Sequence, residues 1–328
     1  MSRFKLYPEK ALRLFLPKGK AILIACSGGI DSVVLLEECC KLRQLLKLSI
    51  QVAHVDHGLR KDSAKDADFV RKLAKRHKLK FHLKRLKPPN KQKINFESWG
   101  REKRYQFFAQ VLKKHKLNLL LTAHNASDQA ENLLMRLISN KEPRAITFFD
   151  KRRKLLRPFL YITKKEIISW ARKSGYTWRE DITNRSIEYL RNKVRLKLIP
   201  FLEKNFDARV QDVLSRRAAL LGQDFEYFDE LVSKKISKLA ALKFGSSDWQ
   251  NYFKKELKKS PSAIAWRLAA ASLEKIIGYR PGYQASCDFI DFLSNNNRQR
   301  IQFSGQIALR RTKGFIRIIR SNFSNFRE

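Results

Sequence analysis

Ser27-Gly28-Gly29-Ile30-Asp31-Ser32 places two flexible residues, two hydroxyls and a carboxylate within one short loop. It follows the apolar run Ala21-Ile22-Leu23-Ile24-Ala25 and leads into a stretch whose apolar residues include Val33, Leu36 and Cys40, so it reads as strand, tight loop, helix. Adjacent glycines admit a ligand close to the backbone, while the amides of the loop and of the first helical turn around Ile30 point outward. With the hydroxyls of Ser27 and Ser32 they make a cradle for a polyphosphate. The Gly-Lys-Ser/Thr ending of a Walker A loop is absent, and a carboxylate, Asp31, stands at the loop's exit instead. An acid beside phosphates implies magnesium between them, with Asp31 as its ligand.

Three more clusters could share that chemistry. His54-Val55-Asp56-His57-Gly58-Leu59-Arg60 leaves a second strand-like run, and alternation gives His54 and Asp56 one direction, so Asp56 is able to face a nucleotide together with Asp31. The same residues would also serve as a hydrogen-bonded strand end. In Thr122-Ala123-His124-Asn125-Ala126-Ser127-Asp128-Gln129-Ala130-Glu131-Asn132, a helix beginning at Asp128 puts Glu131 on the same face, giving paired carboxylates near His124. Such a pair either caps the helix or holds an amine and its ammonium charge. Glu97-Ser98-Trp99-Gly100-Arg101-Glu102-Lys103-Arg104-Tyr105 is either an ordinary charged helix or one that lays Arg101 or Arg104 over phosphate and base.

These residues need elements to hold them. Apolar β-rich runs at 21–25, 50–55, 80–83 and 119–122 alternate with helical periodicity such as Phe69, Val70, Leu73, Ala74 and His77. That order predicts an α/β fold, a doubly wound and mostly parallel sheet with helices on both faces, whose ligands lie at the carboxyl ends of the strands. Three of the four runs end in the polar clusters above, so one shared site is expected. Thr163-Lys164-Lys165-Glu166 reads as a capping box and Gly175 as the end of that helix. Pro200 marks a boundary between a catalytic domain, 1–200, and a mainly helical domain, 201–328, whose long helical region opens at Asp207. Ser260-Pro261 is expected to start a helix, and runs at 300–303, 306–310 and 315–319 form a small β element, the last two joined at Thr312-Lys313-Gly314. Lys151-Arg152-Arg153-Lys154 reads as a solvated loop surface that is also able to meet phosphate.

Composition limits the partners. Lys and Arg number 70 against 31 Asp and Glu, a net charge of +39 that calls for a polyanion of about tRNA size. No stretch approaches the ~18 apolar residues of a spanning helix, and the first residues lack a signal peptide's apolar core, so a soluble cytoplasmic protein without a membrane partner is expected. Cys26, Cys39, Cys40 and Cys287 include no C-x-x-C, which favours buried structural thiols over metal or redox ligands.

The pattern S-G-G-x-D-S resembles the PP-loop pyrophosphatases, which cleave ATP between the α and β phosphates and adenylate an acceptor. S-G-G-I-D-S, H-V-D-H-G-L-R, E-x-x-x-R-x-x-R-Y, T-A-H-N-x-x-D-Q-A-E-N-L-L-M-R-L, L-R-P and W-R-E-D-x-T-N-x-x-x-x-x-x-R-N-x-V-R run in order across residues 27 to 195. This series is similar to the tRNA(Ile)-lysidine synthetase family and covers essentially the whole first domain. The resemblance implies ATP-dependent replacement of the C2 oxygen of a wobble cytidine, in a minor isoleucine tRNA, by the ε-amine of free lysine. It further implies ATP and Mg2+ as cofactors, a loop that holds the leaving pyrophosphate, Asp31 at the metal, and Asp128 and Glu131 on the lysine. Asp56 and His124 become site walls, Arg101 and Arg104 tRNA contacts with Arg104 also in catalysis, and Glu180 and Asp181 either a pocket edge or partners of nearby arginines. Two departures stand out: Gly100-Arg101 where relatives commonly carry Ala-Arg, and Ser127-Asp128 where they carry two acids. A tRNA thiolase of the same fold and a catalytically silent RNA-binding protein are the competing readings, and self-association into a homodimer stays open.

Overall fold

In the computed structural model, which describes residues 6–56, 58, 63–87, 96–139, 142–179, 190–303 and 307–320, the apolar runs form strands Ala21–Ala25 (β1), Ser49–Asp56 (β2), Lys80–Arg85 (β3) and Leu119–Leu121 (β4). Phe149–Asp150 (β5) and Leu155–Leu156 (β6) complete a six-stranded sheet of order β3-β2-β1-β4-β6-β5, antiparallel only between β5 and β6. Those two strands are too short to show a period in the sequence. Residues 151–154, expected as a solvated loop, are the exposed connection between them.

Strand alternation divides the apolar side chains between two layers. Ile22 and Ile24 join Val52, Leu121 and Leu156 beneath helices Pro8–Phe15 (α1), Ile30–Lys41 (α2), Ser63–Arg76 (α3) and Lys164–Lys173 (α6). Leu23, Ala53, Leu120 and Leu155 face the other way, onto Phe108, Val111 and Leu112 of Phe96–Lys114 (α4). Burial of both faces is what a parallel sheet requires. The chain runs outward from β1 through β2 to β3 and then returns to β4 on the opposite side of β1. The switch point therefore lies between β1 and β4, where the connections diverge and a crevice opens at the carboxyl ends.

Local signals resolve as their chemistry dictates. Thr163 caps α6 in a reciprocal box: its hydroxyl accepts from the Glu166 amide at 3.2 Å and its own amide donates to Glu166 Oε2 at 2.9 Å. Gly175, at φ +66°, closes that helix in the left-handed region. The helix after β4 begins at Ala126 (α5, Ala126–Leu137) rather than at Asp128, because Asn125 takes the cap position. Beyond α6 come Leu190–Lys193 (α7), a π-helical turn at Val194–Leu198, Ile199–Asn205 (α8) with Pro200 in its first turn, and Val210–Ala240 (α9).

The chain resolves into two compact units, 1–134 with 145–218, and 135–144 with 219–328. The second contains Ser247–Lys259 (α10), Ser262–Ile277 (α11), Tyr283–Ser294 (α12) and an antiparallel sheet of Arg300–Phe303 (β7), Ile307–Thr312 (β8) and Phe315–Arg320 (β9). Its core centres on Phe253, Leu268, Phe289, Phe292 and Leu309. Lys313 and Gly314, at φ +47° and +81°, make the tight turn between β8 and β9. Ser260 does not cap the helix after it: extended by the following proline, it ends α10, and Pro261 itself is the N-cap of α11. Among the described residues no helix is long and apolar enough to cross a membrane.

Candidate active site

The glycine loop leaves β1 at the switch point and closes on itself through its serines. Ser32 Oγ accepts from the Ser27 amide at 3.1 Å and donates to the Gly29 carbonyl at 2.9 Å, while Ser27 Oγ accepts from the Gly29 amide at 3.3 Å. Gly28 sits at φ +92°, a conformation side chains rarely adopt. Gly29 is the N-cap of α2 with no side-chain cap, so the amides of the first turn from Ile30 onward keep an anion-binding direction.

Asp31, in that first turn, is where the expected clusters meet. Its carboxylate accepts from Asn125 Nδ2 at 3.2 Å and pairs with Lys164 Nζ, from the first position of α6. Burial raises its pKa and the neighbouring Asp128 adds to that rise, while Lys164 and Arg195 oppose it. The loop after β1 and the helix after β4 are thus joined through Asn125.

Asp128 and Glu131 do share a face of α5, and each meets arginines. Glu131, 2 % exposed, receives Arg195 Nε at 2.6 Å and Arg191 Nε at 2.9 Å. Asp128 spends Oδ2 on the Asn125 amide at 2.9 Å, a capping role, and leaves Oδ1 at 3.3 Å from Arg191 and 3.7 Å from Arg195. Ser127 donates to Gln211 Oε1 at 2.9 Å.

His124 is half-buried, with Nδ1 2.8 Å from Thr122 Oγ1. Burial, reinforced by Arg157, Arg104, Arg191 and Arg101, pulls its pKa well below the usual imidazole value, so it is neutral at pH 7. The guanidinium carbons of Arg101 and Arg104 lie 5.3 Å and 5.5 Å from the Tyr105 ring centre. Asp56 ends β2 buried, accepting from the Gly58 amide at 2.9 Å with Arg85 at 3.8 Å. His54 faces the Cys26 carbonyl at 2.9 Å. His57, Arg60, Glu180 and Asp181 lie outside the described residues.

The sequence reading assigned no role to Asn125, Lys164, Arg191 or Arg195, although all four stand inside or beside motifs it quoted. For the two arginines the signal was present as the R-N-x-V-R spacing, which puts them one helical turn apart. It also missed Glu37 and Glu38, buried acids of α2. Glu37 meets Arg76 and His77, and Glu38 accepts from Trp170 Nε1 at 3.0 Å and Tyr176 Oη. Cys26, beside the loop, and Cys40, near the far end of α2, are poor nucleophiles, burial pushing Cys26 up to about 11 and Cys40 to about 12.

Among the described residues no group of three His, Cys, Asp or Glu side chains could cage a metal. Magnesium needs less, one or two carboxylates completed by substrate phosphates and water, and Asp31 beside a phosphate cradle is such a donor set.

The sequence profile of the PP-loop domain matches residues 5–202. A tRNA(Ile)-lysidine synthase of Clostridium perfringens is 39% identical over 227 residues, 67% of this chain and 48% of that protein. One from Nostoc sp. is 31% identical over 262 residues, 78% of this chain and 73% of that protein. The chain spans about half the length of the first of these relatives. Among solved structures, the U34-tRNA thiolase NcsA from Methanococcus maripaludis, with its [4Fe-4S] cluster, superposes at a TM-score of 0.57 over 66% of this chain and 78% of its own. At 16% identity that likeness concerns the fold.

Proposed function

The chain belongs to the PP-loop domain family and, within it, to the tRNA(Ile)-lysidine synthases, and from that membership we propose that it joins free lysine to C2 of the wobble cytidine of a CAU-anticodon isoleucine tRNA, consuming ATP. The observation that carries the reading is the Asn125–Asp31 hydrogen bond of 3.2 Å, which ties the phosphate cradle to the acid-bearing helix α5 in one crevice. Residues 1–200 are assigned the chemistry and 201–328 the grip on tRNA, and the protein is assigned to the cytoplasm, where its substrates are.

In the first step the cytidine C2 oxygen bonds to the α-phosphorus of ATP and the bond to the β-phosphate oxygen breaks, releasing pyrophosphate. Ser27, Ser32 and the amides from Gly28 to Asp31 hold the departing phosphates, with Lys164 offsetting their charge. Asp31 would hold magnesium, which supplies charge neutralisation on those phosphates when bound. In the second step the lysine ε-nitrogen bonds to C2, the bond from C2 to the adenylated oxygen breaks, and AMP leaves. The amine proton needs an acceptor, and Asp128 Oδ1 is the less saturated oxygen of the acid pair. Glu131, enclosed by two guanidinium groups, acts by positioning Arg191 and Arg195 beside Asp128. Neutral His124, with Arg101 and Arg104 whose charges reach it, walls the base and its phosphate, and Arg104 is also assigned to the chemistry at the C2 oxygen.

Incubation of the protein with ATP, labelled lysine and candidate tRNAs tests this, read by pyrophosphate release and by chromatography of the digested nucleosides. A lysine-bearing cytidine formed in proportion to pyrophosphate is expected. Pyrophosphate released without lysine incorporation would favour a different acceptor and overturn the assignment.

A further inference from the structure

Among the described residues α4 is the helix that packs on the Leu23–Leu120–Leu155 face of the sheet, and it leaves a groove beside it. This cavity, about 890 Å³, lies between one stripe of α4, the start of β4 and the connection from β5 to β6. Arg101, Lys113, Lys116, Arg152, Arg153 and Lys154 line it, against a single acid, Glu102. Tyr105 sits partway along the helix, with Arg101 5.3 Å and Arg153 5.0 Å from its ring centre. From Arg101 to Lys113 the helix advances about 18 Å at 1.5 Å per residue, so the cations are strung out along a track instead of converging on one point.

That spacing selects the occupant. A free phosphate or nucleotide is held by donors aimed at one centre, whereas a nucleic-acid strand presents charges in a row and bases that stack on aromatic faces and guanidinium planes. Arg101 lies in the first part of the helical stripe, and its charge is among those that lower the His124 pKa in the crevice. We infer that this groove binds the single-stranded segment of the RNA substrate flanking the reacting nucleotide, phosphates along the lysines and arginines and one base against Tyr105. The inference rests on the proposed function for the identity of the RNA, though not for the groove's preference for a single strand.

The test is a variant carrying K113Q, K116N, R152Q and K154N, all outside the machinery assigned above. Asparagine is chosen at 116 and 154 because both lysines are left-handed, at φ +51° and +50°. Binding of the isoleucine tRNA and of an oligo-uridine strand is titrated across a salt series, with ATP binding and thermal unfolding measured alongside. At moderate salt both RNAs are expected to bind at least tenfold more weakly, and the slope of log affinity against log salt to fall by about 2 to 3, from roughly 0.7 per lost single-strand phosphate contact. ATP affinity and unfolding temperature stay as in the parent. Replacing Tyr105 by Phe keeps oligo-uridine affinity and replacing it by Leu lowers it. A folded variant with parental RNA affinity and slope overturns the inference, as does displacement of oligo-uridine by inorganic pyrophosphate at equal concentration. If the quadruple variant does not fold, R152Q with K154N on the exposed turn gives the same reading on a smaller scale. Should the parent protein form no lysine-bearing cytidine while the variant still loses oligo-uridine binding, the groove stands and the proposed activity falls.

Discussion

Asp31 carries the largest share of the chemistry assigned to one side chain, and its surroundings make its behaviour testable. Its folded pKa lies above the unfolded value because burial outweighs Lys164. The native state therefore holds its proton more tightly, so this group's contribution to stability is complete below the unfolded pKa and is lost as pH rises through the folded one. D31N is accordingly expected to unfold no more easily than the parent at pH 7 while losing pyrophosphate release, as thermal melts and a pyrophosphate assay will show. K164M removes the cation that lowers this pKa. The acid limb of the pH–rate profile for pyrophosphate release is expected to move to higher pH, and an unmoved limb would remove Asp31 as the titrating group. The acids of α5 separate as well. D128N keeps an oxygen for the cap, so it should fold and release pyrophosphate yet pass little cytidine on to lysine, leaving adenylated tRNA in a single-turnover experiment. E131Q removes the charge that two half-exposed arginines surround and is expected to cost about 2–3 kcal/mol of stability, a buried-pair loss discounted for solvent screening.

At the scale of elements, the crevice depends on how helices begin. Asn125 Oδ1 accepts from the amides of Ser127 at 3.0 Å and Asp128 at 3.2 Å, and Nδ2 reaches Asp31. One side chain therefore starts α5 and fixes it to the first turn of α2. N125A should lower stability by about 1–2 kcal/mol from the lost cap. It should also raise KM for ATP, because Asp31 loses its orienting donor. Equal nucleotide affinity in parent and variant, measured by direct titration, would make the contact purely structural. The cap on α6 works in the same direction: the box between Thr163 and Glu166 fixes the helix start and so the base of Lys164.

For the molecule as a whole the excess charge is the dominant property. With a net +39, tRNA affinity should fall steeply between low and moderate salt as counterions are released, and a flat response would contradict a polyanion partner. The same charge explains why acids are valuable where they occur. Asp31, Asp128 and Glu131 each meet at least one cation, and burial, reinforced by the charge of nearby arginines, holds His124 neutral. Below pH 6.5 the unfolded chain binds a proton at this histidine that the folded one refuses, so the stability present above that pH is lost as pH falls toward the folded pKa.

What the sequence determined by itself was whatever depends on neighbours along the chain. Apolar runs fixed β1 to β4, the Thr163–Glu166 spacing fixed a helix start, and Gly28-Gly29 between strand and helix fixed a tight loop at the start of α2. These follow from periodicity, capping and backbone freedom, which act over a few residues. Tertiary structure decided which charges meet. Arg191 and Arg195 lie 60 or more residues from Glu131, and Lys164 lies 133 from Asp31. No local pattern encodes such pairs, because a carboxylate looks alike in sequence whether water, an amine or an arginine faces it. Only the packing that withdraws Glu131 from water makes the two guanidinium groups necessary, and that packing gives Glu131 two arginine partners while Asp128 caps α5 with one oxygen and keeps the other 3.3 Å from Arg191.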